Sequence, residues 1–98
     1  MYLLTLGLNH TTAPVAVRER VSFPGEGLRE ALADMRGSLR SLMPEGAILS
    51  TCNRTEIYCA TEQPGEVPPA LSGWLSHRQG LAAGQLDSHL YVLPNGQA

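Results

Sequence analysis

Segments with two different hydrophobic periodicities alternate along this chain of 98 residues. Runs of aliphatic, aromatic and β-branched residues, typical of strands, cover 2–8, 47–51, 55–61 and 88–93. In the two intervals that follow the first and third runs, apolar residues recur at three- and four-residue steps, the spacing of one helix face. Few folds of so short a chain are compatible with this order of elements, which is strand, helix, strand, strand, helix, strand.

The two predicted helices have boundary signals at both ends. The first begins at Pro24, which suits a first helical position, and ends before Pro44. The second begins at Pro68 or Pro69 and ends near Gly80. The apolar faces of the two helices are predicted to be buried, and they include Leu28, Leu32, Met35, Leu39, Leu71, Trp74 and Leu75.

Together these elements predict an α+β fold of the ferredoxin-like βαββαβ type, with a four-stranded antiparallel sheet and two helices on one face. Residues 15–23 are compatible with a short helical turn or with irregular structure. Pro94-Asn95-Gly96 is expected to turn the chain away after the last strand. The second face of the sheet would be left for a partner domain, a ligand or solvent.

Composition excludes several classes of protein. Hydrophobic residues make up 43% and charged residues 16%, which is typical of a globular domain rather than a disordered chain. No apolar run could span a bilayer, and the N-terminus lacks the basic region of a secretion signal, so we expect a cytoplasmic protein without a membrane partner. The formal charge of −2 argues against strong non-specific binding of nucleic acid, although a few placed arginines could still contact it.

Cys52 is the main candidate for chemistry, because it lies where a strand gives way to a turn. Arg54 could favour its thiolate, the form that attacks carbonyl carbon. Thr51 and Asn53 offer hydrogen-bond donors that could stabilise an oxyanion. The structural alternative is that Cys52 is a small buried hydrophobic residue and Asn53 a turn former.

The second cysteine, Cys59, shares a strand face with Ile57 and is predicted to fill the core. Two cysteines in a cytosolic chain are more often free thiols than a disulfide. Their spacing does not match a zinc site, so no metal is expected.

A second group of polar residues, 9–12, follows the first strand. His10 could act as a base, bind a substrate carboxylate or cap the turn. Further on, Arg18, Glu19 and Arg20 are expected to form a solvated helical face, although one arginine could meet a phosphate. No Gly-x-Gly-x-x-Gly pattern occurs in the chain, so a dinucleotide fingerprint is absent.

Two segments taken together resemble a known family. Gly7-Leu8-Asn9-His10-Thr11-Thr12-Ala13-Pro14-Val15, followed by Arg18-Glu19, resembles the opening signature of glutamyl-tRNA reductases. Ile48-Leu49-Ser50-Thr51-Cys52-Asn53-Arg54-Thr55-Glu56-Ile57-Tyr58 resembles the segment that carries their active-site cysteine. The spacing between the segments also fits, and the resemblance covers nearly the whole chain. The chain is therefore identified as a member of this family, as its N-terminal catalytic domain.

The resemblance implies a specific reaction. These enzymes reduce the activated carboxyl of glutamyl-tRNA to glutamate-1-semialdehyde with NADPH, the entry to tetrapyrrole and haem synthesis. Cys52 matches the nucleophile, whose thiolate attacks the glutamyl ester, releases tRNA and leaves a thioester for reduction.

The same resemblance implies a glutamyl pocket. Thr51, Asn53 and Arg54 match positions that line it, and Arg54 would pair with a substrate carboxylate. Asn9, His10 and Thr11 are expected at the same pocket, and they form the rest of the predicted substrate-binding set.

Family members continue into an NADPH-binding domain and a helical dimerisation domain. We expect residues 1–98 to be the nucleophile-bearing domain alone, unable to complete the reduction by itself. The implied partners are glutamyl-tRNA, a second subunit in the full-length enzyme and, downstream, glutamate-1-semialdehyde aminomutase. The alternative is a non-catalytic ferredoxin-like module that binds a small molecule or a protein and has no need of a reactive cysteine.

Overall fold

The computed structural model describes residues 1–94. Its strands are β1 (Tyr2–Asn9), β2 (Glu45–Ser50), β3 (Arg54–Thr61) and β4 (Tyr91–Pro94). Its helices are α1 (Val15–Val21), α2 (Gly25–Ser38) and α3 (Val67–Arg78), and a short 3₁₀ turn lies at Asp87–His89. The predicted alternation of strands and helices is confirmed, and the segment left open after β1 is a two-turn helix.

All neighbouring strands in the sheet are antiparallel, and their order is β2-β3-β1-β4. Leu6 of β1 pairs with Ile57 of β3 on one side and with Val92 of β4 on the other. Ile57 in turn pairs with Ile48 of β2. The two central strands are therefore β1 and β3, and this arrangement confirms the predicted ferredoxin-like α+β fold.

The core lies on one face of this sheet. Met35 of α2 and Leu71 of α3 belong to the same buried cluster, so both long helices cover the same face, as predicted. The strand residues of that cluster alternate along β1 and β3, as the pleat requires, and they are Leu4, Leu6, Ile57 and Cys59. We call the opposite face, which none of the described helices covers in this way, the open face.

Four of the seven helix residues predicted to be buried lie at the margin of the core. Met35, Leu71 and Leu75 are fully buried. The prediction was wrong for the four that are only half-buried, Leu28, Leu32, Leu39 and Trp74. The innermost line of α2 is formed by Ala31 and Met35, which leaves its leucines on the flanks. The indole of Trp74 stays near the surface because its N–H donates to Oδ2 of Asp34 on α2, at 2.8 Å.

Two element boundaries differ from the sequence interpretation. Helix α2 ends at Ser38, well before Pro44, and a turn bonded to the carbonyl of Leu39 then buries Met43. Strand β4 begins only at Tyr91, because residues 87–89 form the 3₁₀ turn. Pro94 still belongs to β4, and the rest of the predicted final turn lies outside the described residues. Within the described part of the chain, no helix has the length and apolar character needed to cross a membrane.

Candidate functional site

Strand pairing brings the two polar segments of the sequence to the same end of the sheet. Strand β1 ends at Asn9, β3 begins at Arg54, and these two residues are cross-strand neighbours. The turn 51–53 joins β2 to β3 at this end, and the turn 10–12 follows β1. The predicted site residues therefore come from two adjacent turns, although more than forty residues separate them in sequence.

The turn after β1 is built around the side chain of Asn9. Its Oδ1 accepts bonds from the backbone N–H of Thr11 at 2.9 Å and from the hydroxyl of the same residue at 2.6 Å. The hydroxyl of Thr12 accepts a bond from the N–H of Asn9 at 2.9 Å. These bonds give Asn9 and Thr11 a structural role in the turn. His10 lies exposed at the tip of the turn.

The turn between β2 and β3 presents Cys52 to solvent. The hydroxyl of Thr51 accepts bonds from the N–H groups of Asn53 and Arg54, each at 3.2 Å, and so fixes the loop around the cysteine. The alternative of a buried Cys52 is therefore wrong, whereas Cys59 is buried in β3 as predicted. Thr51 itself is engaged in the turn, and Asn53 is exposed beside the thiol.

Arg18 joins the two turns, a role that the sequence did not suggest. Its Nη1 donates to the carbonyl of Ala13 at 2.7 Å, and its Nε donates to the carbonyl of Cys52 at 3.4 Å. The expected solvated role of Arg18 is therefore wrong, because this side chain ties α1 to the loop that carries Cys52. The sequence feature that could have indicated this role is the position of Arg18 one helical turn after Pro14. A cleft of about 280 Å³ lies here, lined by Val15, Arg18, Glu19, Ser22, Cys52 and Asn53.

A second feature of the site is a buried carboxylate on the open face, which lies beside Arg54. Nε of Arg54 lies 3.7 Å from Oε1 of Glu56. The hydroxyl of Tyr58 donates a hydrogen bond to the same oxygen, and the hydroxyl of Tyr91 donates one to Oε2. The hydrogen bond to Glu56 and burial raise the pKa of Tyr58. Burial and the bond to Glu56 raise the pKa of Tyr91. Both phenols therefore remain protonated donors around neutral pH, and no role for Glu56 had been predicted from its sequence position.

A comparison with protein families shows to which family this domain belongs. The family model of the glutamyl-tRNAGlu reductase N-terminal domain matches residues 6–98. The chain belongs to this family. The match spans both polar segments, so the site described above lies within the N-terminal domain of a reductase of the tetrapyrrole pathway, as the resemblance implied.

A separate cavity of this reductase domain does not coincide with the thiol. It measures about 610 Å³, lies toward the other end of the sheet and is lined partly by Leu3, Thr5, Ala47, Tyr58 and Ala60. Cys52 does not line it. We place the candidate site at the turn that carries Cys52, because chemistry needs an accessible reactive group, which the volume of a cavity alone does not supply. Within residues 1–94, no group of three or more His, Cys, Asp and Glu residues could hold a metal ion.

The two cysteines of the domain are expected to differ strongly in reactivity. Burial raises the pKa of the Cys59 thiol and blocks its access, whereas Cys52 is exposed beside the Arg18 contact. Iodoacetamide at neutral pH should label Cys52 more than about tenfold faster than Cys59, because alkylation requires an accessible thiolate. Peptide mapping over time measures both rates in one sample. Equal rates, or faster labelling of Cys59, would contradict the assignment of Cys52 as the nucleophile.

Proposed function

We propose that this chain carries the acylation half of the glutamyl-tRNA reductase reaction, with Cys52 as the nucleophile. The observation that carries the proposal is an exposed thiol where two polar turns meet, in a chain that belongs to this family. Cys52 has the loop geometry that a nucleophile needs, because side-chain hydrogen bonds fix the turn and leave the sulfur accessible.

In the proposed step, the thiolate of Cys52 attacks the carbonyl carbon of the glutamyl ester. A sulfur–carbon bond forms, and the bond between that carbon and the ribose oxygen of tRNA breaks. The ribose oxygen leaves with the electron pair and takes up a proton, so the products are free tRNA and a glutamyl thioester on the protein. The ester is already activated, and the tasks left to the protein are positioning and stabilisation of the oxyanion.

Two arginines support this chemistry in different ways. The guanidinium of Arg18 donates a hydrogen bond to the carbonyl of Cys52 and so holds the turn that carries the thiol against α1. The side chain of Arg54 is 51% exposed, and its planar fork suits a carboxylate. We assign Arg54 to the side-chain carboxylate of the glutamyl group. Five further residues complete the proposed pocket, and they are Asn53, Asn9, His10, Thr11 and Thr51. Among them, Asn9, Thr11 and Thr51 shape the two turns that form the pocket.

Reduction of the thioester requires a hydride donor, and NADPH is the donor that the family resemblance implies. The residues of this chain do not fit a dinucleotide site of the fingerprint type. The closest pattern is Gly25-Glu26-Gly27, but Glu30 stands where a third glycine would be, and the segment follows helix α1 rather than a strand. We therefore assign no reduction step to residues 1–94, and we expect other parts of the enzyme to hold NADPH.

The acylation proposal can be tested on this chain directly. Incubation with excess glutamyl-tRNA should add one glutamyl group to the Cys52 peptide, detected by mass spectrometry and released by hydroxylamine. Excess substrate is needed because a domain with a formal charge of −2 is expected to bind tRNA weakly. Cys52→Ala should abolish the adduct, and Cys59→Ala is the matched control that should keep it. A hydroxylamine-sensitive adduct that survives in Cys52→Ala would contradict the proposal.

Adding NADPH to the same mixture separates the two halves of the reaction. The chain alone should give the adduct but no semialdehyde, because positioning of the donor supplies much of the catalysis. Formation of semialdehyde by this chain alone would show that it holds the cofactor itself. The cavity of about 610 Å³ that is lined partly by Leu3 and Tyr58 is the one observation that favours the alternative, a non-catalytic binding module. Such a module would show no selective acylation of Cys52.

A further inference from the structure

Glu56 carries a carboxylate that the fold buries. Only 3% of the residue is exposed, although it lies on the open face of the sheet. Tyr58 donates a hydrogen bond to Oε1 at 2.5 Å, and Tyr91 donates one to Oε2. A buried carboxylate is costly unless donors and a cation surround it. We call Glu56, Tyr58, Tyr91 and Arg54 the Glu56 cluster, and its composition points to a role beyond packing.

One row of residues across all four strands builds this cluster. Leu49 pairs with Glu56, Glu56 pairs with Gly7, and Gly7 pairs with Tyr91. Since Gly7 has no side chain, the phenol of Tyr91 on β4 can pass over it to reach the carboxylate on β3. A Cβ atom at Gly7 would lie only 2.8 Å from Cγ of Glu56, closer than carbon atoms normally approach. Glycine is therefore the residue that this arrangement requires.

Arg54 is the member of the cluster that meets solvent. Arg54, Glu56 and Tyr58 alternate along β3 and so share the open face. A half-exposed arginine samples many rotamers, and holding it in one of them has an entropic cost at the moment of binding. Two tyrosine hydroxyls fix Glu56, and Glu56 gives Nε of Arg54 a fixed neighbour. The terminal nitrogens Nη1 and Nη2 then remain for a ligand.

We propose that Glu56, held by Tyr58 and Tyr91, is a positioning residue that orients Arg54 so that Nη1 and Nη2 pair with the side-chain carboxylate of the glutamyl group. The inference rests on the proposed function and adds the basis of its substrate specificity.

Two effects of the Glu56 charge oppose each other in this arrangement. Glu56 partly neutralises Arg54, which weakens attraction to a second carboxylate, and it also restricts the guanidinium, which strengthens binding. The Nε–Oε1 distance of 3.7 Å is too long for a hydrogen bond, and the arginine is half open to water, so the Coulomb term is weak. Fork-to-fork pairing is directional, so we expect the orienting effect to dominate.

The test measures the rate of adduct formation at Cys52 as a function of glutamyl-tRNA concentration. Glu56→Gln should raise the half-saturating concentration about fivefold, the upper range for a partly exposed ion pair, while the limiting rate changes less than about twofold. Tyr91→Phe removes only one hydroxyl and should raise the half-saturating concentration about threefold. Glu62→Gln is the matched control, since Glu62 is an exposed glutamate directly after β3 that contacts the N-terminal amine. Melting temperatures identify any variant that does not fold.

The decisive comparison uses Arg54→Met as a second background. If Glu56 acts through Arg54, Glu56→Gln should change the half-saturating concentration less than about twofold once the guanidinium is gone. A full fivefold effect in that background would overturn the inference, because Glu56 would then act independently. Wild-type values in both Glu56→Gln and Tyr91→Phe would overturn it as well. Failure of the wild-type chain to form any adduct would instead contradict the proposed function.

Discussion

Replacing Arg54 with lysine is expected to lower kcat/KM for glutamyl-tRNA by about 2–3 kcal/mol, or roughly 30- to 150-fold, in a longer enzyme that carries this domain. Lysine keeps the positive charge but offers a single ammonium group in place of a planar fork. It cannot satisfy the carboxylate of Glu56 and that of a substrate with the same geometry. Steady-state kinetics with glutamyl-tRNA and NADPH measures the effect.

Arg29→Lys is the control for this substitution, because Arg29 is an exposed residue of α2. It should leave kcat/KM unchanged within experimental error. Activity of Arg54→Lys within twofold of the wild-type enzyme would show that Arg54 takes no part in substrate recognition. The thioester proposal would survive that result, since it depends on Cys52 alone.

Replacing Gly7 with alanine is expected to destabilise the fold by about 3 kcal/mol, the upper range for overpacking a well-filled site. The new Cβ would lie 2.7 Å from the carbonyl oxygen of Thr55 and 2.8 Å from Cγ of Glu56. The oxygen belongs to the central strand β3, so relief requires a shift of the sheet backbone. For a domain of this size, the melting temperature should fall by about 12–24 °C.

Gly73 provides the matched control for the effect of glycine itself. It lies exposed within α3, and nothing is found within 4 Å of the position its Cβ would occupy. Gly73→Ala should therefore stabilise the domain by about 0.5–1 kcal/mol through helix propensity and a less flexible unfolded chain. If Gly7→Ala left the melting temperature unchanged, the close packing of β1 against β3 described above would be wrong.

Most of the fold could be predicted from local patterns in the sequence. Periodicity predicted the strands and long helices, because burial of alternate residues or of one helical stripe leaves a direct signature in the sequence. Periodicity did not predict that Leu39 and Trp74 would be only half-buried. The apolar face of a helix indicates which side of the helix faces the core, but it does not indicate the exposed fraction of each side chain on that face. The start of β4 at Tyr91 was missed for a similar reason, because the 3₁₀ turn before it depends on tertiary contacts such as Ser72 to Asp87.

The site was only partly predictable from the sequence. Cys52 stood out through its neighbours in the chain, and the structure confirms that it is exposed. Arg18 and Glu56 were missed because their partners are distant in sequence. Arg18 reaches Cys52 across 34 positions, and Tyr91 reaches Glu56 across 35. Contacts of this length depend on strand order and register, which no single segment encodes.

The row of paired residues that crosses all four strands, Leu49, Glu56, Gly7 and Tyr91, also has a consequence for the order of events during folding. Cys52 and Arg54 leave the ribosome early, on the hairpin of β2 and β3, while Tyr91 follows more than thirty residues later on an edge strand. Long-range strand pairing forms slowly compared with hairpins. A nascent domain therefore displays the thiol of Cys52 before Tyr91 can fix Glu56 beside Arg54. The orientation that we propose for Arg54 is thus complete only after β4, the last strand along the chain, has joined the sheet.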